Sequence, residues 1–222
     1  MKMQFLKICA LLCVIPAFMS CSDDEPAAPV PNKPNIMFFH ASAGTPGVDF
    51  LIDNTDTVRN LTYTQSSGYR AINQGSRKLQ VNLTGTSFKS VDTTANFSNE
   101  KYYSFFIADT VTNISPLLLQ DSLPTASSGK TFFRVVNLAH RQSAIDIADA
   151  NGGIPYEKLR NIGFKKASAF IELNPATLNF QITSVGSPTK LYDLKPTLAA
   201  NKVYTIVITG AGANGYELIT NK

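Results

Sequence analysis

Lys101-Tyr102-Tyr103-Ser104-Phe105-Phe106-Ile107 returns 101 residues later as Lys202-Val203-Tyr204-Thr205-Ile206-Val207-Ile208. Both runs are short and rich in aromatic and β-branched residues, the composition of a buried strand. Further pairs follow at the same offset. Arg59-Asn60-Leu61-x-Tyr63 matches Arg160-Asn161-Ile162-x-Phe164, and Ser67 and Tyr69 match Ser168 and Phe170. Leu79-Gln80-Val81 matches Phe180-Gln181-Ile182, and Leu117-Leu118 matches Leu218-Ile219. Near the start of each unit the offset is 97, where His40 meets Asn137 and Val48-Asp49 meets Ile145-Asp146. Four residues inserted near Asn151-Gly152-Gly153 reconcile the two offsets. An ordered series of mostly apolar matches reads as one unit used twice.

Within each unit the apolar segments are short and bounded by Gly, Pro, Asn and Ser, and none has a sustained helical period. Strands are predicted over 36–41, 47–53, 58–63, 67–73, 77–84, 101–109 and 114–120. Their counterparts are 131–138, 143–149, 158–164, 167–173, 178–185, 202–209 and 215–220. Seven strands per unit predict an all-β chain of two tandem immunoglobulin-like antiparallel β-sandwich domains, 36–121 and 131–222. Residues 122–130, Ser-Leu-Pro-Thr-Ala-Ser-Ser-Gly-Lys, read as a linker. Each unit is expected to bury its own core, with Tyr69 and Phe170 as equivalent interior aromatics, and likewise Leu79 and Phe180.

The first 20 residues have the form of a lipoprotein signal peptide. Lys2 and Lys7 flank a basic start, and Ile8 to Phe18 is an apolar run broken only by Pro16. That run is shorter than the ~20 residues a membrane-spanning helix needs. It ends at small Ser20, so cleavage before Cys21 and acylation of the Cys21 thiol are expected. Phe18-Met19-Ser20 lacks the leucine of the common lipobox and resembles the relaxed boxes of Bacteroidota-type lipoproteins. Ser22-Asp23-Asp24-Glu25 resembles the surface-export signal of those proteins; an acidic spacer is the other reading. Residues 21–35 form a lipid-anchored tether with Pro26, Pro29, Pro31 and Pro34. Extended at ~3.1 Å per residue, it reaches about 40 Å. The expected location is the outer membrane, lipid-anchored and facing the exterior, or alternatively the periplasmic face.

Phe39-His40-Ala41-Ser42, then Val48-Asp49, Gly68-Tyr69 and the turn at Gly75, resemble a bacterial family catalogued as domain of unknown function 4397. The second unit resembles it more loosely, with Asn137 for His40 and Ala176 for Gly75. The resemblance implies tandem β-sandwich units in secreted or lipid-anchored proteins. It brings no activity and no catalytic residues.

The residues give little support to catalysis. Cys9 and Cys13 leave with the leader, so no thiol remains for a disulfide or a Cys-based zinc site. The histidines, His40 and His140, have no partner at metal-ligand spacing. Asp49 and Asp146 occupy equivalent positions, which points to bracing of turns in the fold. The Ser-x-x-Lys spacings at Ser98, Ser127 and Ser187 fall in loops, whereas the hydrolases that use this spacing need a helix. Asp149-x-Asn151-Gly152 lacks the closing Glu of a calcium loop and reads as a turn. No catalytic residue, metal site or cofactor is therefore expected.

Four sites read Asp, Ser/Thr, then an aliphatic residue or Thr: Thr57, Thr93, Thr110 and Ser122 each follow an Asp. They resemble the O-glycosylation acceptor of Bacteroidota-type exported proteins; local turn chemistry is the other reading. Charge is uneven. Residues 35–121 carry 6 basic and 7 acidic side chains, and residues 130–222 carry 11 and 6. Lysines guarding sheet edges account for this, and an anionic glycan is a further possibility. No basic-aromatic recognition motif supports nucleic-acid binding.

The expectation is a non-enzymatic cell-surface lipoprotein displaying β-sandwich binding or adhesion modules to a protein or glycan ligand. The alternative is a glycan-binding accessory lipoprotein of a nutrient-uptake system, against which the absence of Trp counts. A hydrolase is the third and weakest reading. Oligomeric state has no signature here.

Overall fold

The computed structural model describes residues 32–142, 144–209 and 215–221. Eight strands build the first repeat: β1 Asn35–His40, β2 Val48–Ile52, β3 Thr55–Leu61, β4 Ser66–Ala71, β5 Gly75–Leu83, β6 Lys89–Phe97, β7 Tyr102–Ala108 and β8 Ser115–Asp121. They form two sheets, ordered β3-β2-β5-β6 and β4-β1-β7-β8. The second repeat begins with β9 Thr131–Asn137, β10 Ala144–Asp149, a 3-10 turn at Tyr156–Leu159, β11 Ile162–Gly163 and β12 Lys166–Ala167. It continues with β13 Ile171–Leu173, β14 Ala176–Thr177, β15 Phe180–Ser184, β16 Lys190–Leu194, β17 Thr197–Leu198, β18 Val203–Ile208 and β19 Tyr216–Thr220. Its sheets are β11-β10-β15-β16 and β12-β9-β18-β19, with β13 also on β9 and a small β14-β17 ribbon. The chain is all-β, as its residue pattern predicts, and the two repeats share one strand order.

The registers show the repeat in three dimensions. Phe38 faces Phe105 across β1 and β7, and Val135 faces Ile206 across β9 and β18. These positions differ by the 97 and 101 read from sequence. At the last strand the offset is 100, not 101. Phe106 faces Leu117 while Val207 faces Glu217, so Leu118 corresponds to Leu218. Both of those leucines pack on the core of their own repeat. A slip of one residue would turn each to the opposite face.

Three further differences have local causes. β6 and β16 carry Lys89-Ser90-Val91-Asp92-Thr93-Thr94-Ala95-Asn96-Phe97 and Lys190-Leu191-Tyr192-Asp193-Leu194. Both are edge strands with few inward apolar residues, so their apolar signal is weak. The strand expected over 158–164 is mostly the 3-10 turn and the two-residue β11, because the insertion near Gly152 reroutes the chain. Finally, β1 pairs with β7, and β9 with β18, in parallel, so each of these sheets departs from a purely antiparallel pattern at its centre. A parallel pair requires a long crossover, and β2–β6 provide it in the first repeat.

Each repeat buries its own core. Phe38, Phe50 and Phe105 meet at ring-centroid distances of 4.7 to 6.1 Å in the first. Phe133 and Phe180 meet at 5.8 Å in the second. Burying each ring is worth about 1.5–3 kcal/mol. Leu79 and Phe180 are the equivalent interior residues expected. At the start of β7 and β18, Tyr103 and Tyr204 each accept a hydrogen bond from a backbone N–H five residues upstream, at Ser98 and Ala199. Such a tyrosine corner is compatible with an immunoglobulin-like sandwich.

A third core lies between the repeats, which pack as one compact unit. Met37, Phe39, Phe106 and Ala108 of the first repeat meet Val136, Leu138, Val207 and Ile219 of the second. Strands β1, β7, β9 and β18 are therefore buried on both faces. This also corrects Tyr69 and Phe170. Both are half-buried and lie outside the two repeat cores. Tyr69, on edge strand β4, packs against the third core, and Phe170 lies under the Arg134 guanidinium at 5.0 Å.

A polar cluster borders that third core. The buried Asp121 carboxylate accepts from Arg134 Nη2 (2.5 Å), Ser104 Oγ (2.7 Å) and the Tyr69 hydroxyl (2.7 Å). Arg134 Nε donates to Thr205 Oγ1 (3.0 Å), which donates to Asn221 Oδ1 (2.7 Å). Asn221 Nδ2 closes the circuit on the Tyr69 oxygen at 3.0 Å. Burial and the Asp121 carboxylate push the Tyr69 phenol well above the usual tyrosine range.

Candidate functional site

Strand directions give the body two distinct ends. The chain enters at Asn35, the start of β1, and β7 starts beside it. At the opposite end β1 finishes at His40, β5 at Leu83 and β7 at Ala108. The loops 41–47, 62–65, 84–88 and 109–114 of the first repeat gather there. In the second repeat 138–142 and 185–189 take the same places. The seam keeps the ends aligned. Lys165, beside β12, donates to Ser115 Oγ and to the Pro116 carbonyl at the start of β8. Three large apolar side chains stand exposed at these tips: Phe88, Val111 and Val185.

The recurring residues of the sequence brace this distal end. His40 is fully buried; its Nδ1 accepts from the Ser42 N–H (3.2 Å), and its Nε2 donates to the Pro46 carbonyl (3.1 Å). Asn137 does the same work in the second repeat, accepting from the Ala139 N–H (3.1 Å) and donating to the Ile162 carbonyl (2.9 Å). Asp49 accepts from the Asn60 N–H (2.8 Å) and Thr84 Oγ1 (2.8 Å). Asp146 accepts from the Asn161 N–H (2.7 Å) and the Tyr156 hydroxyl (3.1 Å). Asn60 and Asn161 have φ of 50° and 51°, a left-handed conformation that asparagine tolerates. A Cβ at Gly47 would lie 2.0 Å from Asn60 Oδ1, so any larger residue there would displace the Asn60 side chain. His40, Asp49 and Asp146 are thus structural.

This bracing makes a pH prediction. Burial lowers the His40 pKa, outweighing its hydrogen bond to Pro46. A histidine held neutral in the fold contributes stability above its unfolded pKa of about 6.5 and loses it as pH falls below that value. His40→Asn, which installs the residue of the second repeat, should flatten this acid limb. Denaturant midpoints measured on both proteins at neutral and mildly acidic pH would check it; parallel losses would show that His40 is not the sensitive group.

The remaining expected sites are scattered. Cys21, Ser22, Asp23, Asp24 and Glu25 lie outside the described residues. Thr93 on β6 and Ser122 after β8 are exposed, whereas Thr57 and Thr110 are half-buried. Thr57 Oγ1 donates to the Thr55 carbonyl, and Thr110 Oγ1 bonds Thr112 Oγ1. The preceding acids also have partners: Asp56 pairs with Arg59, Asp92 with Lys78 (3.0 Å) and Asp109 with Asn113 (2.7 Å). Asp149 accepts from the N–H groups of Asn151 and Gly153, the turn expected of it. Among the described residues no three His, Cys, Asp or Glu side chains group to hold a metal ion.

Two features carried no sequence signal. One is the Arg134–Asp121 cluster, beside which an open cleft of about 430 Å³ runs between Gln120 and Ser122 on one side and Ser168 and Phe170 on the other. The other is the outward face of β5 and β6, where Gln80 pairs in register with Asp92 and Asp92 meets Lys78 at 3.0 Å.

The model of a family described as a domain of unknown function, DUF4397, matches residues 34–148. The match spans β1 to β10 and crosses the linker. No curated protein matches. Among solved structures, the chain is similar to the C-terminal domain of AlgF from P. aeruginosa, with 25% identity, 41% of this chain and 96% of that chain covered, and a TM-score of 0.28. It is also similar to CBMbc (family CBM26) from Eubacterium rectale Amy13K, in complex with maltoheptaose, with 13% identity, 84% and 95% covered, and a TM-score of 0.28.

Proposed function

This chain belongs to the DUF4397 family, and from that premise we propose that it is a non-enzymatic, lipid-anchored cell-surface protein whose distal loops form a binding or adhesion surface. The observation that carries the proposal is the direction of the strands. The chain enters β1 at one end, and the loops with exposed Phe88, Val111 and Val185 gather at the other. A tether acylated at Cys21 and exported through Ser22-Asp23-Asp24-Glu25 would hold that loop end away from the outer membrane. Polar braces at His40, Asp49, Asn137 and Asp146 stiffen the loops, which lowers the ordering cost of binding. The ligand is a protein or a glycan. Thr93 and Ser122, being exposed, are the accessible positions for O-glycosylation.

Cys21→Ala should release the protein from membranes while leaving its thermal unfolding unchanged. Protease added to intact cells should cleave the wild-type tether. A variant that stays with membranes after a high-salt wash would overturn the anchor, and a tether protected on intact cells would overturn the outward orientation.

A further inference from the structure

We propose that the free edge of β8 receives an extended, uncharged segment of a partner polypeptide, which joins the sheet β4-β1-β7-β8 as a further strand. This surface lies on the seam between the repeats and is separate from the distal loops. Strand parity fixes which backbone groups are free. The Lys101 and Ile107 carbonyls accept from the N–H groups of Asn35 and Ala41. The odd-numbered residues of β7 therefore direct their backbone groups toward β1. Across the unbroken β7–β8 register, Phe105 faces Leu118 and Tyr103 faces Gln120. Leu118 and Gln120 thus direct their N–H and C=O groups away from β7, to the open side of β8. Pro116 shares this parity, so its missing N–H costs the ladder nothing. Its outward carbonyl accepts from Lys165 Nζ at 3.4 Å. β8 ends its sheet, so no strand lies beyond Leu118 and Gln120.

Open edges are ordinarily guarded by charge. β3, β4, β6, β16 and β19 carry Arg59, Arg70, Lys89, Lys190 and Glu217. The single charge of β8 is Asp121, which is buried, and its Leu117-Leu118-Leu119 run is half-buried. The seam beside β8 is open as well. At the equivalent seam the Tyr69 oxygen, from β4, accepts from Asn221 Nδ2, just after β19, at 3.0 Å. Phe170 takes the place of Tyr69 beside β8 and has no hydroxyl to make such a tie. The cleft of about 430 Å³ lies there, with Leu119, Gln120 and Ser122 on one side and residues 167–170 on the other. Paired strands stand about 4.8 Å apart. Because 167–170 wall its far side, the cleft admits one extended chain and not the edge of a second sandwich. Among its described lining residues only Arg134 is charged, and Asp121 compensates that charge. The matching strand is therefore neutral, with apolar side chains over Leu119 and Phe170.

The test is selection of binders to the mature protein from a displayed library of decapeptides built of Val, Ile, Leu, Phe, Thr, Ser and Gln. A selected peptide, synthesised, should slow amide exchange at Leu118 and Gln120 about tenfold or more, as a well-made hydrogen bond does. Gln120→Pro removes one outward N–H and leaves the β7 ladder intact, as Pro116 does, so it should melt close to wild type. It should weaken binding of the peptide about tenfold or more, whereas Gln120→Thr should bind like wild type. The same peptide N-methylated at alternate residues, in either phase, should lose a comparable factor against unmodified protein, a readout that does not depend on any variant folding. A library that yields no binder would overturn the proposal. So would binding that leaves exchange at Leu118 and Gln120 unchanged, or that survives both Gln120→Pro and N-methylation. A dimer in sedimentation that Gln120→Pro dissolves would overturn it in favour of self-pairing. None of these outcomes touches membrane release by Cys21→Ala, so this edge site and the anchored-display reading fail separately.

Discussion

Asp121→Ala is expected to destabilise the folded body by about 3–5 kcal/mol, the cost of leaving one member of a buried ion pair uncompensated. The Asp121 side chain is 0% exposed and that of Arg134 is 5% exposed, so water cannot replace the lost carboxylate. Three donors lose their acceptor at once: Arg134 Nη2, Ser104 Oγ and the Tyr69 hydroxyl. The damage should be specific to the mismatch. By register Arg134 corresponds to Met37, and Asp121 to Asn221. Arg134→Met combined with Asp121→Asn installs both residues of the opposite repeat and removes the charge from both sides. That double variant should recover most of the stability, since exchanging a buried pair for matched neutral groups is often nearly neutral. Thermal or urea unfolding of the two single variants and the double gives the coupling directly. Additive losses would show that the pair does not act as a unit.

Phe180→Ala should cost about 3–5 kcal/mol, as truncation of a fully buried aromatic does. Phe180 is 0% exposed and packs on Phe133 at 5.8 Å, deep in the core of the second repeat. The expected consequence reaches the first repeat. If the second repeat opens, Met37, Phe39 and Phe106 lose their cover, and Asp121 loses Arg134. Amide exchange at Phe105 and Phe106 should therefore accelerate in Phe180→Ala, although both residues lie in the other repeat. Unchanged protection there would mean that the two sandwiches unfold independently and that the third core contributes little.

Much of the fold was legible in the residues. The period-2 apolar runs, the paired offsets and the inward placement of Leu79 and Phe180 follow from local pattern, because alternation fixes which face of a strand is apolar. Even the third core left a trace. Asn35-Ile36-Met37-Phe38-Phe39-His40 and Val203-Tyr204-Thr205-Ile206-Val207-Ile208 do not alternate, as expected of strands covered on both faces. Edge strands β6 and β16 were missed because an edge has little apolar surface to hide. The recurrence of Asp49 at Asp146 marks a need of the fold, and both carboxylates accept from the backbone N–H of a left-handed asparagine.

The sequence alone determined that this chain is all-β, since composition and periodicity act within each strand and require no partner. What covers each apolar face was decided only by packing. No local pattern tells Arg134 that its side chain will meet Asp121 and Thr205, or that Met37 will take the corresponding place in the other repeat. Those contacts depend on which sheets stack and on strand register, where a single residue sends a side chain to the opposite face. The buried side-chain oxygens of Gln80, Asn82 and Ser90, unpaired among the described residues, belong to the same class. Whether a polar atom is satisfied depends on every neighbour that folding brings within hydrogen-bond distance, and those neighbours come from different strands.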